Sequence, residues 1–304
     1  MQQSFDPGLT QAYGGRLRRM VNRDGSFNVR RRGRHLQDLH LYQFFIRLSW
    51  PVFMAVLAGG FLVVTLAFTG LYFAAGVDGL QGISEHGPVQ TFLGAFFFSV
   101  QTLTTVGYGA IFPRGLGANI VASVEALCGV LGFAFSAGIL YGRFSRPNAR
   151  ILFSSHALVA PYQDGTSLQI RIANQRANAL VDLEATLVLM TVEGSGDHAR
   201  RVYAKLELER PTVFFLPLTW TIVHPIVPGS PLHGATPDQL ESRAAEILVL
   251  VRGFDDTFSQ VVNARFSYRY DEILWGQRFS PAFHNDHDGH LVLDLAKMDD
   301  VKPA

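Results

Sequence analysis

The amino-acid sequence predicts a protein in two parts, an all-α membrane part followed by an antiparallel β-sandwich. Three observations support this fold class: two long apolar stretches in the first half, a shorter apolar segment between them, and a second half of short runs in which apolar and polar residues alternate. The mean hydropathy over 304 residues is +0.17. Because the second half has an ordinary composition, this apolar excess is concentrated in the first half.

The two long apolar stretches predict two membrane-spanning helices. Residues 51–75 contain no charged side chain, and about 20 apolar residues in a helix suffice to cross a bilayer. We therefore predict an outer helix over 50–75. Residues 116–142 form a second stretch with a single charge, Glu125, and predict an inner helix. A carboxyl group at this depth should face protein or water, because facing lipid is costly.

The distribution of arginines predicts the orientation. Nine arginines lie in residues 1–50, and Arg143, Arg146 and Arg150 follow the second stretch, whereas residues 71–103 contain no Lys or Arg. Both termini are therefore expected in the cytoplasm, and no secretory signal peptide is expected. Each of the three later arginines either contacts anionic lipid or simply sets topology. The formal net charge of +1 argues against a nucleic-acid partner.

We divide the chain into five regions. They are a poorly ordered cytoplasmic segment (1–34), an amphipathic helix along the membrane surface (35–48), the membrane part (49–142), a linker (143–150) and the β-sandwich (151–304). The helix expected at 88–103 is too short to cross the membrane and return, so it predicts a re-entrant helix and loop. The runs expected to form strands are 167–174, 185–192, 203–209, 212–223, 246–253 and 290–295, with one short helix at 236–243.

The loop after the re-entrant helix carries the functional motif, Thr105-Val106-Gly107-Tyr108-Gly109. Its glycines can adopt backbone angles that let successive carbonyls point the same way. Four copies around an axis would stack rings of oxygens that replace the hydration shell of K⁺. The C-terminal end of the preceding helix would add partial negative charge. The sequence therefore predicts a potassium selectivity filter at 105–109 in a homotetramer, since one copy cannot surround an ion.

Beyond this motif, the chain resembles the bacterial inward-rectifier potassium channels, the KirBac group, over nearly its whole length. The matching segments are DGSFNV (24–29), SWP (49–51), FFFSVQT before the filter, EALCG in the inner helix, LFSSHALV (152–159), RIANQR (171–176), TWTIVHPI (219–226), SPL (230–232) and DEILWG (271–276). The resemblance implies a multi-pass protein of the bacterial inner membrane. It also implies a homotetramer whose immunoglobulin-like cytoplasmic domains continue the pore, gated by lipids such as phosphoinositides and by cytoplasmic ligands.

Three residues of the inner helix are candidates for the conduction path. Glu125 has two open roles, either a ring of four carboxylates in the cavity, which we favour, or a buried group hydrogen-bonded to the pore helix or filter. The resemblance places Phe133 and Tyr141 at the two positions that narrow the inner pore, where aromatic rings can close a pore by dewetting. Gly129, Gly132 and Gly138 could bend the helix between them.

The chain also departs from the family pattern. Phe133 stands where strongly rectifying members carry an acid, which argues against tight polyamine block there, although block by Mg²⁺ or polyamines is otherwise implied. Gln101 replaces a glutamate that braces the filter in many members, so another contact must brace it. Arg252-Gly253-Phe254 matches the narrow cytoplasmic pore loop, with Gly253 and Phe254 as its candidate lining residues. No resident cofactor is implied.

The sequence also bears on other function classes. A cluster in the β-region resembles a metal site, yet it surrounds an Asp-Gly turn and lacks a fixed ligand geometry; its members are His284, Asp286, His287, Asp288 and His290. No nucleophile elbow, HExxH pair or paired CxxC is present, which argues against an enzyme. A non-conducting membrane sensor and a poorly selective channel remain alternatives.

Overall fold

A computed structural model describes residues 5–13, 19–29, 32, 41–83, 87–145 and 150–304. The chain forms two compact units. One unit comprises residues 32–146, and the other combines residues 1–31 with residues 147–304.

The described part of the membrane unit contains four α-helices. They are α1 (Leu41–Arg47), α2 (Trp50–Ala75), α3 (Pro88–Leu103) and α4 (Leu116–Phe144). Helices α2 and α4 are both long and apolar enough to cross a membrane. A proline occupies the first turn of both α2 and α3, where its missing N–H is not needed. The outer helix α2 and the re-entrant helix α3 cover the residues predicted for them. The inner helix α4 ends two residues after its predicted end at residue 142. The first part of the predicted surface helix lies outside the described residues.

The α3 helix lies between α2 and α4, and its packing is what positions the loop that follows it. Aromatic and small side chains pack where the three helices meet, including the fully buried Tyr72 and Ala95. A two-stranded ladder, β1 (Leu80–Gln81) with β2 (Phe112–Pro113), joins the segments on either side of the loop. The loop is therefore held from both of its ends.

The second unit is a β-sandwich of two five-stranded sheets. The strands of the sandwich are β3 (Ile151–Phe153), β4 (Ala157–Tyr162), β5 (Gly165–Asn174), β6 (Leu180–Glu193), β7 (Arg200–Leu206), β8 (Thr212–Phe215), β9 (Thr219–Pro225), β10 (Glu246–Asp255), β11 (Gln260–Arg269) and β12 (Ile273–Trp275). One sheet has the order β11-β10-β6-β7, with β8 also paired to β6. The other has the order β12-β4-β5-β3, with β9 also paired to β5. Alternating apolar residues of β5, β6 and β10 fill the space between the sheets.

Smaller elements complete this unit. Helix α5 (Pro237–Ser242) begins with a capping box, in which the Thr236 hydroxyl accepts from the Gln239 amide, so the short helix expected at 236–243 is confirmed. Two short ladders follow, and their strands are β13 (Gln277–Phe279) with β16 (Val301–Pro303), and β14 (Phe283–Asn285) with β15 (Leu291–Leu293).

Two predictions about strands need correction. The run 212–223 is two strands in different sheets, β8 and β9, because the chain leaves the first sheet around Pro217 and proline cannot donate to a ladder. The short strands β3, β4 and β12 were not predicted, and neither was the longer β11, since polar and charged residues such as Asn263 and Arg265 interrupt its apolar pattern. It nevertheless pairs along its whole length with β10.

The prediction that residues 1–34 are poorly ordered is wrong for the described parts of that segment. Met20 and Val21 are buried against the outer face of the β6–β10 sheet. The Met20 amide donates to both oxygens of the Glu246 carboxylate, at 3.0 and 3.1 Å. The Ser267 hydroxyl donates to the Val21 carbonyl at 2.7 Å. The N-terminal segment is therefore part of the β-unit.

Candidate functional site

The backbone of the loop 105–109 has an alternating conformation. Thr105, Gly107 and Gly109 have positive φ angles of 59°, 54° and 78°, whereas Val106 and Tyr108 do not. This alternation turns successive peptide carbonyls toward one side instead of opposite sides, as they lie in a strand. A positive φ is costly for a threonine. The surrounding contacts must therefore hold Thr105 in this conformation.

The contact that braces the loop is a backbone carbonyl. The amides of Val106 and Gly107 both donate to the Gln101 carbonyl oxygen, at 2.9 and 3.3 Å. Gln101 stands where the family resemblance places a bracing glutamate in many members, so another contact is expected to brace the loop. Within the subunit this contact is the Gln101 main chain, near the end of α3.

The loop is uncovered by the rest of its own subunit. All five residues are exposed, and the Tyr108 side chain is 78% exposed. Apolar side chains and backbone carbonyls at membrane depth need partners. The described part of the chain supplies no cover for these five residues.

The prediction that Glu125 lines the central cavity as a carboxylate ring is wrong in this structure. Glu125 is 0% exposed. The Tyr72 hydroxyl of α2 donates to Oε2 at 2.6 Å, and the Ser99 hydroxyl of α3 contacts Oε1. The carboxyl group therefore points into its own subunit, between the outer and re-entrant helices, as the alternative role required.

Phe133 and Tyr141 lie on α4 with their rings turned away from the packed side of the subunit. Their side chains are 78% and 75% exposed. Such exposed aromatic rings on a membrane helix are available to line an axis or to pack on another subunit. Gly132 and Gly138 have open space around them, whereas a Cβ at Gly129 would collide with the Leu103 carbonyl oxygen. The absence of a side chain at Gly129 therefore allows α4 to pack closely against the end of α3.

Arg143, one of the three arginines predicted to contact lipid, makes several contacts within the membrane unit. Its guanidinium group donates to the carbonyls of Phe45 (2.5 Å), Ile46 (3.1 Å) and Leu48 (2.8 Å). It also lies over the rings of Trp50 and Phe53, 4.7 and 4.5 Å from their centroids. These carbonyls lie at the C-terminal end of α1, where a cation is favourable. Most of the hydrogen-bonding capacity of Arg143 is therefore used within the subunit.

The other two arginines differ from Arg143. Arg150 is exposed. Arg146 lies outside the described residues.

The predicted cytoplasmic pore loop at Gly253 and Phe254 is also corrected. Both residues lie inside strand β10, paired with β11 on one side and β6 on the other, with a bulge between Arg252 and Phe254. Gly253 is buried, and a Cβ there would press against Leu183 at 3.1 Å. The turn of this hairpin comes later, at residues 256–259.

The histidine and aspartate cluster is a hairpin turn between β14 and β15. Asp286, Asp288 and His290 come close together. The Asp286 carboxylate accepts the amides of Asp288 and His290, at 3.0 and 2.8 Å. These bonds stabilise the turn and account for the arrangement without a metal ion.

Sequence reasoning missed two groups next to the candidate site, Tyr72 and Ser99, and one in the β-unit, Glu272. Tyr72 and Ser99 hold Glu125, and Glu272 holds the N-terminal segment through Arg19 and Arg23 (2.6 Å). The signal for the first two was available, because a buried carboxyl group requires polar partners on neighbouring helices. Burial alone would raise the pKa of Glu272, but the hydrogen bond from Arg23, the Arg269 amide and the nearby arginine charges lower it overall.

Comparison with known proteins agrees with this architecture. Residues 151–303 match the family described as the inward rectifier potassium channel C-terminal domain, and residues 52–146 match the family described as ion channel. The chain is 38% identical over 287 residues to the inward rectifier potassium channel Kirbac3.1 of Paramagnetospirillum magnetotacticum, covering 93% of this chain and 95% of that protein.

Human relatives are also similar. Inward rectifier potassium channel 4 is 33% identical over 69% of this chain and 49% of its own length. ATP-sensitive inward rectifier potassium channel 10 is 29% identical over 94% of this chain and 81% of its own length. The chain therefore belongs to the inward rectifier potassium channel family. It is a membrane potassium channel and not an enzyme.

Proposed function

We propose that four copies of this chain assemble around one axis, and that the backbone of residues 105–109 forms the potassium selectivity filter of the homotetramer. The observation that carries this proposal is the alternating φ pattern of Thr105, Gly107 and Gly109, in a loop that its own subunit leaves exposed. Stacked carbonyl rings need four copies of such a loop.

The inner helices form the cytoplasmic gate of the proposed channel. Support comes from Phe133 and Tyr141, whose rings are exposed on each subunit and large enough for four to close a pore. Because Glu125 is buried, the only acid of the inner helix is unavailable to bind Mg²⁺ or polyamines in the cavity. Block by these cations is therefore weak at this level.

Both termini lie in the cytoplasm, and the protein resides in the bacterial inner membrane. The arginine-rich N-terminus and the arginines after α4 support this orientation. Anionic lipid, including phosphoinositides, contacts the cytoplasmic surface through Arg150 and its neighbours. Each exposed basic residue near an anionic surface gains about 1 kcal/mol.

The test is a flux assay on reconstituted protein. Liposomes loaded with K⁺ should take up rubidium, barium should block the uptake, and a sodium-only control should show none. Gly107→Asp should abolish flux, because residue 107 requires a positive φ. The matched control is Gly59→Ala, at a helical glycine with open space around it, which should retain flux.

Two outcomes would contradict the proposal. Equal uptake in sodium would indicate a poorly selective channel. A tetramer that carries no flux in any lipid composition would favour a non-conducting membrane sensor. Size measurement by light scattering distinguishes that second outcome from a protein that fails to assemble.

A further inference from the structure

Helices α3 and α4 meet through two pairs of residues, each one helical turn apart. On α4, Glu125 contacts Ser99 and Gly129 admits the carbonyl oxygen of Leu103. Ser99 and Leu103 are likewise four residues apart on α3, so both pairs lie on facing sides of their helices. The two contacts together fix both the rotation of α3 and its height along α4.

A third helix completes this arrangement. Tyr72 of α2 donates to the Glu125 carboxyl group at 2.6 Å, and the Ser99 hydroxyl lies 3.1 Å from the Thr65 carbonyl oxygen of α2. Thr65, Tyr72, Ser99 and Glu125 are all essentially fully buried. Three helices therefore share one hydrogen-bonded group, and the loss of any member leaves a buried polar atom without its partner.

The position of α3 is transmitted directly to the filter. Leu103 is the last residue of α3, and Thr105 follows two residues later. The Gln101 carbonyl, which accepts the Val106 and Gly107 amides, lies between Ser99 and Leu103 in the chain. A shift of this last turn therefore moves the acceptor to which the filter backbone is bonded.

We propose that Glu125 and Gly129 are positioning residues for the selectivity filter, and that they set K⁺ over Na⁺ selectivity by holding the last turn of α3. Glu125 does so through hydrogen bonds, and its charge has no part in attracting ions to the cavity. Gly129 does so by the absence of a side chain. It is a packing site and not a hinge.

The substitution series at Glu125 separates geometry from charge. Glu125→Gln keeps the length and both contacts, because the amide oxygen accepts from Tyr72 and the amide nitrogen donates to Ser99. Glu125→Asp keeps the carboxyl group but is one methylene shorter. In the liposome assay, we expect the Gln variant to keep K⁺/Na⁺ selectivity within about twofold, and the Asp variant to lose about tenfold.

The opposite ranking would overturn the proposal. If Asp preserves conduction while Gln lowers it with unchanged selectivity, the carboxylate charge acts on ions in the cavity. Should the Asp variant fail to form the wild-type oligomer, Tyr72→Phe supplies the test instead, since it removes one hydroxyl and little volume. It should lower selectivity and weaken barium block without changing the oligomer. Wild-type values for both would refute the proposal.

Gly129→Ala provides an independent arm with a matched control. A Cβ at residue 129 meets the Leu103 carbonyl, whereas one at Gly132 meets nothing within 4 Å. We expect Gly129→Ala to reduce selectivity about tenfold and Gly132→Ala to leave it unchanged. Equal effects of the two substitutions on selectivity would contradict the packing role of Gly129.

Discussion

Replacement of Arg143 by lysine tests whether this arginine joins two helices or binds lipid. Lysine keeps the positive charge, so a role in attracting anionic lipid would survive the substitution. Lysine lacks the planar guanidinium group that donates to the carbonyls of Phe45, Ile46 and Leu48. An ammonium group is a compact charge and does not reproduce this geometry.

The expected loss of stability follows from these contacts. If lysine reaches one of the three carbonyls, two charge-assisted hydrogen bonds are lost, at about 1.5 kcal/mol each. The stacking of the guanidinium group over Trp50 and Phe53 adds about 0.5–1 kcal/mol for each ring. The membrane unit should therefore lose about 4 kcal/mol, chiefly where α1 attaches to α4.

The assay is thermal unfolding of the detergent-solubilised protein, followed by tryptophan fluorescence in a Trp220→Phe, Trp275→Phe background in which Trp50 is the remaining tryptophan. The matched control is Arg150→Lys, the same substitution at an exposed arginine, which should change stability by less than about 0.5 kcal/mol. We expect a lower Tm for Arg143→Lys alone. A Tm equal to wild type, with lipid dependence of flux reduced by Arg143→Met, would refute the reasoning and restore Arg143 as a lipid contact.

Three further predictions concern the gate and the β-unit. Tyr141→Ala should raise rubidium flux in liposomes by opening the proposed constriction, and unchanged or lower flux would argue that Tyr141 packs against another helix. Glu272→Gln should weaken attachment of the N-terminal segment by about 1–3 kcal/mol, which would be seen as faster amide exchange at Met20. The pKa of Glu272 is lowered in the folded protein. The stabilisation by Glu272 is therefore complete above the ordinary glutamate pKa of 4.5 and is lost as the pH falls through the lowered pKa. Each Met20 exchange rate is divided by that of an unstructured peptide at the same pH, because intrinsic amide exchange depends on pH. Glu246, which accepts the Met20 amide, is present in both proteins, so the same pH dependence of this ratio in Glu272→Gln and in the wild type between about pH 3 and 6 would contradict the prediction. Ile170→Ala removes a fully buried core side chain and should cost about 2–5 kcal/mol, measured by denaturant unfolding, whereas a loss below about 1 kcal/mol would show that the sandwich core adapts.

Composition and local motifs were sufficient for the architecture of the membrane unit. A bilayer imposes a length of about 20 apolar residues on a spanning helix, so the ends of α2 follow from where charge and proline occur. The filter motif is also local, because its conformation depends on glycines at fixed positions within five residues. The alternating φ of Thr105, Gly107 and Gly109 is the pattern that these glycines permit.

The fold class of the β-unit could be predicted from the sequence, but the pairing of its strands could not. Apolar alternation identified β5, β6, β7 and β10 of the sandwich, yet β3, β4, β11 and β12 were missed and β8 was joined to β9, because sheet partners come from distant parts of the chain. The assignment of Gly253 and Phe254 to a loop rested on the family resemblance, although the strand predicted over 246–253 already included Gly253. Pairing with β6 and β11 holds both residues in a strand.

The sequence by itself determined the fold class, the two spans and the ion-selective motif, since each depends on residues that are close together in the chain. Only the tertiary structure decided which way Glu125, Arg143 and the N-terminal segment face. A helix presents its side chains in all directions, so the direction of one carboxyl group depends on which helices surround it. Glu125 therefore points to Tyr72 and Ser99 and not to the ion path. No sequence pattern determines that direction.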